Sequence, residues 1–366
     1  MRFTPLCGFF AYVFVRILQV QIIKLPIMLI PFLIPFVIAM FLAITMGGSG
    51  TAPAFSAAYG TNLIKQSAIP GLFGVMVFIG AIVGGKNTAH TIGKGLLDPE
   101  MMTFTIVSVI LISVAFALLI ANLFGIPQST SQATVLAVIA PAVYFNSLNT
   151  HKLVYDVLPT WFIMPVLSFG LSFLIGKYIY KPIRKRGYTM SKKLNDHYMF
   201  KGGIIAMSMY VAFSIGTNNV ANAAGPIAMM AVNELNINDS YFLQVLILST
   251  LIVAPSFGIG SSIFGKKILQ NTGKEIVLFG KVEAVIIAFI SASLLLTASL
   301  LKGIPTSLIQ LNVAAIIGIG VAKLGFKNIF LKTEVNRFFI MWVVAPLIAF
   351  CIAFLLTWGA DTWGLI

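Results

Sequence analysis

The sequence predicts an all-α polytopic membrane protein of about 10 to 12 membrane segments, arranged as an inverted repeat with broken helices or re-entrant hairpins. Three observations carry that expectation. Of the 366 residues, 59% are hydrophobic and 9% are charged, whereas soluble domains carry about 25% charge. Apolar runs able to cross a hydrocarbon core of ~30 Å, which takes roughly 20 helical residues, recur along the chain. Polar motifs of the first half also return, in the same order, in the second.

Taken in order, the apolar segments fall near 5–23, 27–46, 67–85, 102–124, 129–147, 153–180, 202–216, 241–264, 275–301, 305–322 and 336–358. Residues 1–26 are set apart as an extra N-terminal apolar segment, because they carry Arg16 and show no small-residue cleavage site. Residues 27–180 form the first membrane repeat and 202–366 the second. Between them "KPIRKRGYTMSKKLNDHYMFK" (181–201) holds seven Lys or Arg against one Asp. The excess of basic residues in cytoplasmic loops makes this linker cytoplasmic, and places the chain in the cell membrane. The net charge of +14 sits between apolar runs, so it calls for a lipid bilayer and not for nucleic acid.

The repeat is legible in three pairings. "MGGSGTAPA" from Met46 aligns with "IGTNNVANA" from Ile215, and "GGKNTAHTIGK" from Gly84 with "FGKKILQNTGK" from Phe264. "FGIPQSTSQATVLAVI" from Phe124 then aligns with "KGIPTSLIQLNVAAII" from Lys302. The offsets are 169, 180 and 178 residues, the drift expected of an old duplication. Each half has five apolar spans once residues 1–26 are left out, and an odd number orients the halves oppositely. With the second half starting inside, the acidic loop at Glu234–Asp239 falls outside, and Lys323, Lys327, Lys332 and Arg337 fall inside. The first half fits less cleanly, since Lys86, Lys94 and Lys152 face out beside Asp98 and Glu100. Inverted repeats of this kind typify secondary transporters, whose site lies near the membrane midplane between the repeats.

The polar motifs sit where apolar spans give way to Gly, Ser, Thr and Asn. Glycine releases helix geometry, and irregular backbone at membrane depth survives only inside protein or along a cavity. Both signature motifs are therefore expected to break their helices. In the "GIPxS" motifs, Pro suits a first helical turn and the serine can cap its amides. Four helix N-termini would then converge on an anion, with Ser49, Thr51, Thr217, Asn218, Ser129, Thr130 and Ser307 as neutral donors. The plainer alternative is that small and polar residues only glue helices together.

Cys7 and Cys351 stand alone, and His90, His151 and His197 show no ligand spacing, so neither a metal site nor a cofactor is expected. No Ser-His-Asp, HxxxxD or HExxH set lies in the spans, which argues against an enzyme. An anion channel would want rings of like charge or a symmetric filter, and neither is present.

"GTNNVANA" (Gly216 to Ala223) resembles the signature of the inorganic phosphate transporter (PiT) family, usually G-A/S-N-D-V-A-N-A. "GIPQSTSQA" resembles that family's G-x-P-V-S-T-T-H-A element, with "GIPTSLIQ" as its weaker second copy. The resemblance extends from about residue 34 to the end. It implies an inverted-repeat symporter holding an inorganic oxyanion between the two signatures and the two Pro-Ser elements. Carried over, the substrate set adds Gly48, Gly50, Ser131, Gln132, Asn219, Asn222 and Gln310 to the donors above.

The departures from the family pattern are directional. Its aspartates are replaced by Gly50 and Asn219, its histidines by Gln132 and Gln310, and Ser49 and Pro53 stand for two of its asparagines. Hydrogen phosphate carries a proton and gains from a carboxylate acceptor, while sulfate carries none and is repelled. A neutral site leaves a P–OH unpaired, at about 1–3 kcal/mol. "MGGSGTAPA" also resembles the first signature of the family's sulfate-permease branch, so sulfate is expected ahead of phosphate. Loss of the aspartates disfavours sodium coupling without removing it, since backbone and Asn oxygens can ligate sodium. Proton coupling needs a titratable group in the membrane, and Glu283 is the candidate; its plainer reading is an ion pair near the inner surface. Oligomeric state, including a homodimer, is left open by the sequence.

Overall fold

The computed structural model describes residues 25–124, 128–182, 197–271 and 280–366. The N-terminal segment before Leu25, Gly125–Ile126–Pro127 of the first Pro-Ser motif and most of the basic linker lie outside them. The described residues are mostly helical, without strands.

The first half comprises α1 (Leu25–Gly60), α2 (Ile69–Gly84), α3 (Lys86–His90), α4 (Phe104–Phe124), α5 (Thr130–Tyr144) and α6 (Leu158–Leu174). The second comprises α7 (Tyr198–Glu234), α8 (Phe242–Val253), α9 (Pro255–Asn271), α10 (Lys281–Thr297), α11 (Leu308–Leu324), the short α12 (Phe326–Phe330) and α13 (Thr333–Thr362). The order matches: α1 with α7, α2–α3 with α8–α9, α4 with α10, α5 with α11 and α6 with α13. Among the described residues, eight helical segments are long and apolar enough to cross a membrane, and α5 and α11 are shorter apolar helices.

Helix ends repeat as well as helix order. The chain leaves α1 through Asn62 (φ 55°) and α7 through Asn236 (φ 48°), both left-handed. Leu63 N–H then donates to Ala58 O (3.0 Å) and Ile237 N–H to Val232 O (2.9 Å), the six-to-one bond that closes a helix C-terminus.

The signature motifs do not break their helices, contrary to the sequence expectation. α1 and α7 run unbroken for 36 and 37 residues, straight through Gly47–Gly50 and Gly216–Asn219. The glycines serve close approach instead. A Cβ on Gly47 would lie 2.2 Å from Phe257 O, and one on Gly260 1.9 Å from Ile44 O. At the equivalent crossing, Gly216 would meet Val77 O at 2.1 Å and Gly80 would meet Phe213 O at 2.1 Å. Thus α1 lies backbone to backbone on α9, and α7 on α2. Breaking either helix would leave amides unpaired in a low-dielectric interior, at several kcal/mol each, so the helices persist.

Among the described residues, non-helical backbone inside the molecule lies at 128–129 and 303–307, just before α5 and α11. At one end of the molecule, Thr105 Oγ1 at the start of α4 donates to Leu365 O (2.8 Å), and Tyr144 OH at the end of α5 donates to Asp361 Oδ2 (2.7 Å). Both ends of the α4–α5 hairpin therefore sit beside the C-terminus of α13. At the other end, Lys323 at the end of α11 pairs with Glu283 in the first turn of α10. α5 has 15 residues and α11 has 17, about 22 and 25 Å, so each starts inside the molecule. The two hairpins enter from opposite faces, and their tips meet.

Charge distinguishes the faces. Asp98, Glu100, Glu234, Asp239 and Asp361 cluster where α4 begins and α7 ends, whereas Lys65, Lys181, Lys266, Lys281, Lys323 and Lys327 mark the opposite face. Of the three lysines that looked misplaced on the acidic face, Lys86, Lys94 and Lys152, two are neutralised there. Lys94 pairs with Asp239, and Lys152 with Asp156 (3.0 Å).

Candidate functional site

Two helices start at the centre. Ser129 and Ser307 stand at the N-caps of α5 and α11 in nearly the same conformation, φ/ψ −78°/103° and −89°/110°. Each hydroxyl accepts the N–H three residues on, of Gln132 and Gln310, at 3.2 Å. A cap of this kind is worth about 1 kcal/mol, and the remaining first-turn amides have no partner in the helix. Two, rather than four, helix N-termini thus supply partial positive charge, because the signature motifs contribute mid-helix side chains.

The tips are tied to each other. Gln132 Nε2 donates to Gln310 Oε1 (3.1 Å) and Gln310 Nε2 to Gln132 Oε1 (2.6 Å). Beside this reciprocal amide pair lies a small cavity lined by Ser49, Gly50, Pro53, Gln128, Thr130, Ile215, Asn219, Ser307, Leu308 and Ile309. Its volume of about 10 Å³ is the room of one water molecule, so an oxyanion would enter by widening it. Among the described residues, no charged side chain lines it.

A polar network supports one wall. The Asn218 carboxamide, turned to satisfy both its ends, donates to Ser131 Oγ (2.7 Å), Thr306 O (3.0 Å) and Asn219 Oδ1 (3.2 Å). It accepts from Thr306 N–H (3.2 Å) and Ser299 Oγ (2.8 Å). Asn222 Nδ2 donates to Ser131 Oγ at 3.3 Å. Among the described residues, Asn222 Oδ1 and Gln128 Oε1 find no donor and are buried.

The sequence-selected residues therefore divide into three groups. Ser49, Gly50, Thr130, Asn219 and Ser307 reach the cavity. Ser129, Ser131, Gln132, Asn218, Asn222 and Gln310 hold its walls by the bonds just described. Gly48, Thr51 and Thr217 do not reach it: Gly48 abuts Phe264, Thr51 lies against Gly265, and the Thr217 methyl lies against Gly84. Thr51 and Thr217 turn their hydroxyls back to Gly47 O (2.8 Å) and Ser214 O (2.8 Å). Helical geometry explains the division, because consecutive residues face about 100° apart. Gln128, Ser299 and Thr306 were missed. Gln128 and Thr306 were both visible, each just before a capping serine in the paired motifs, whereas Ser299 carries no local signal and arrives through the hairpin turn.

Glu283 lies apart from the cavity, buried in the base of the second hairpin against Lys323. Among the described residues it is the one buried carboxylate. A second cavity of about 40 Å³ shares Pro53 with the first and runs past Ser56, Ser208, Ala284 and Asn312 toward the basic face. The equivalents of Ala284, Ala288, Asn312 and Ile316 in the first half are Ile106, Ile110, Thr134 and Val138, all fully buried. At those four positions the matching path toward the acidic face is filled.

Comparison with known proteins follows the same outline. The model of the Phosphate transporter family matches residues 46–353. The sulfate permease CysP of Bacillus subtilis is 32% identical over 320 residues, covering 87% of this chain and 85% of its own. A second chain of that organism, named "Probable low-affinity inorganic phosphate transporter", is 26% identical over 304 residues, 81% of this chain and 87% of its own. A solved structure titled "The sodium-dependent phosphate transporter" superposes with a TM-score of 0.75, covering 91% of this chain and 99% of that one at 21% identity, which shows a shared fold. These relatives are transporters and not enzymes. With hairpin tips, signature helices and family model agreeing over most of its length, this chain belongs to the phosphate transporter family.

Proposed function

We propose that this transporter is a symporter importing an inorganic tetrahedral oxyanion, and that the anion is sulfate. The observation that carries the reading is the neutrality of the central cavity. Two capped helix N-termini, the Thr130 hydroxyl and the Asn219 carboxamide offer dipoles to a dianion, while the Ser49 hydroxyl is held by Met46 O (3.0 Å), and no carboxylate among the described residues repels the anion. The similarity to a chain named as a sulfate permease supports the same choice. Phosphate is the second reading, and one feature favours it: Gln128 Oε1 lines the cavity without a donor and could accept a P–OH. Radiolabelled uptake into proteoliposomes decides between them. We expect sulfate uptake that excess phosphate barely inhibits; stronger inhibition by phosphate than by sulfate would sink the sulfate reading.

The positive-inside rule makes the basic face cytoplasmic, so the cavity beside Pro53 is the inward path. The coupling ion is taken to be the proton, with Glu283 as its carrier, since a buried intramembrane acid is a functional suspect. Sodium is the alternative, as Gln128 Oε1 and Asn222 Oδ1 are free oxygen ligands. Glu283→Gln is expected to abolish accumulation driven by an inward proton gradient while leaving counterflow exchange of sulfate intact. Gradient-driven accumulation at the parental rate would remove Glu283 from the cycle.

A further inference from the structure

The basic face carries a groove that the transport site does not use. Phe169, Phe173, Lys177 and Lys181 follow one another at four-residue spacing along α6 and its continuation, and all four line a cavity of about 420 Å³. The rings of Phe169 and Phe173 are parallel, with centroids 6.0 Å apart. The Lys177 ammonium lies 5.5 Å from the Phe173 ring and 5.2 Å from that of Tyr178. Across the groove stand Ala322, near the end of α11, and Phe326. Gly325 takes φ +87°, and this turn sets Phe326 on the wall, 61% exposed.

The stripe changes character along its length. Over about 18 Å of helix it passes from two stacked aromatic rings to two ammonium groups at the end that joins the basic linker. Lys177 and Lys181 are exposed, and neither forms an ion pair with a described residue; the nearby Glu283 is committed to Lys323. The groove opens to the side of a helix bundle that sits in lipid, between a helix of the first repeat and the α11–α12 turn of the second.

We propose that this groove is a binding site for an acidic phospholipid of the leaflet on the basic side. The phosphate headgroup lies between Lys177 and Lys181, and one acyl chain lies along Phe173, Phe169 and Phe326. Charge complementarity selects an anion, and the aromatic floor selects one that carries a hydrocarbon tail. A free phosphate or sulfate ion would use the lysines and leave the exposed surface of Phe326 and the groove floor uncovered. The bound lipid would join α6 to the base of the second hairpin, next to the Lys323–Glu283 pair.

The test uses the full chain purified in detergent, with native mass spectrometry and thermal unfolding during addition of phosphatidylglycerol or phosphatidylcholine. Phosphatidylglycerol is expected to stay bound and to raise the melting temperature, and phosphatidylcholine to do neither. Each interfacial lysine contributes about fivefold in affinity, so the K177Q/K181Q pair should weaken phosphatidylglycerol binding roughly thirtyfold. Phe326→Ser should weaken it without a change in charge. K65Q/K266Q, two exposed lysines elsewhere on the same face, should leave it unchanged. Equal loss in both double variants, or none in K177Q/K181Q, overturns the proposal in favour of diffuse attraction. Displacement of the lipid by glycerol phosphate at matching concentration overturns it in favour of a plain phosphate site.

Discussion

The two hairpins of this transporter are built alike and attached differently. Both begin at the centre on a capping serine, and both present a glutamine to the other tip. Between serine and glutamine, however, the first hairpin has Thr130–Ser131 and the second Leu308–Ile309. Ser131 is stitched to Asn218 and Asn222 of α7, so α7 and the first hairpin share a hydrogen-bonded seam. Leu308 and Ile309 face Ser49, Gly50 and Pro53 of α1 around the cavity, so that seam is held mostly by packing. The more open path toward the basic face also leaves past Pro53. A duplicated scaffold has therefore kept its backbone geometry while setting a polar seam between α7 and the first hairpin and an apolar one between α1 and the second, whose hydrogen bonds run instead from Ser299 and Thr306 to Asn218 of α7.

Exchanging the seams is the most direct way to break this comparison. Ser131→Ile leaves the Asn218 and Asn222 donors facing an apolar side chain, at about 1–3 kcal/mol for each orphaned group. Sulfate uptake in proteoliposomes should fall roughly a hundredfold, and the melting temperature should fall with it. The mirrored Ile309→Ser adds a small hydroxyl beside the cavity and should change uptake by less than about threefold. Comparable losses in the two variants would mean that the seams are not distinct.

A smaller effect is expected from charge on the polar wall. Asn219→Asp restores a carboxylate to the cavity, where it would repel a dianion. We expect sulfate uptake to weaken about tenfold, equivalent to roughly 1.4 kcal/mol, and phosphate inhibition to strengthen. Unaltered selectivity would show that cavity charge does not set anion choice. The caps sharpen the comparison at its finest level. Ser129→Ala and Ser307→Ala each lose a cap of about 1 kcal/mol, so each should lower uptake about fivefold, and by the same factor. A marked inequality between them would locate the anion nearer one helix start than the other.

Much of this was legible in the sequence because it rests on local rules. The capping serines could be named from Gly-Ile-Pro-x-Ser, since capping is a three-residue geometry. The repeat offsets of 169 and 180 residues anticipated the equivalence of Gly47 with Gly216 and of Gly80 with Gly260, although not what those glycines do. Glycine reads equally as a helix breaker or as a small packing surface, and only the approach of Phe257 and Val77 carbonyls decides between them. Gly48, Thr51 and Thr217 were drawn into the site by motif membership, and helical phase turns them toward α9 and α2. Glu283 could be recognised as a costly intramembrane acid, but its partner Lys323 is 40 residues away.

By itself, then, the sequence determined what short-range chemistry and hydrophobicity dictate: membrane helices, two opposed halves, two capped helix starts and a centre stripped of carboxylates. The tertiary structure decided which of the polar side chains share a cavity, that the signature helices run unbroken, and that the glutamines bind each other. The reason is that helix continuity in a low-dielectric interior is settled by backbone hydrogen bonds and close helix contacts. Those contacts join residues far apart in the chain, and no local pattern records them.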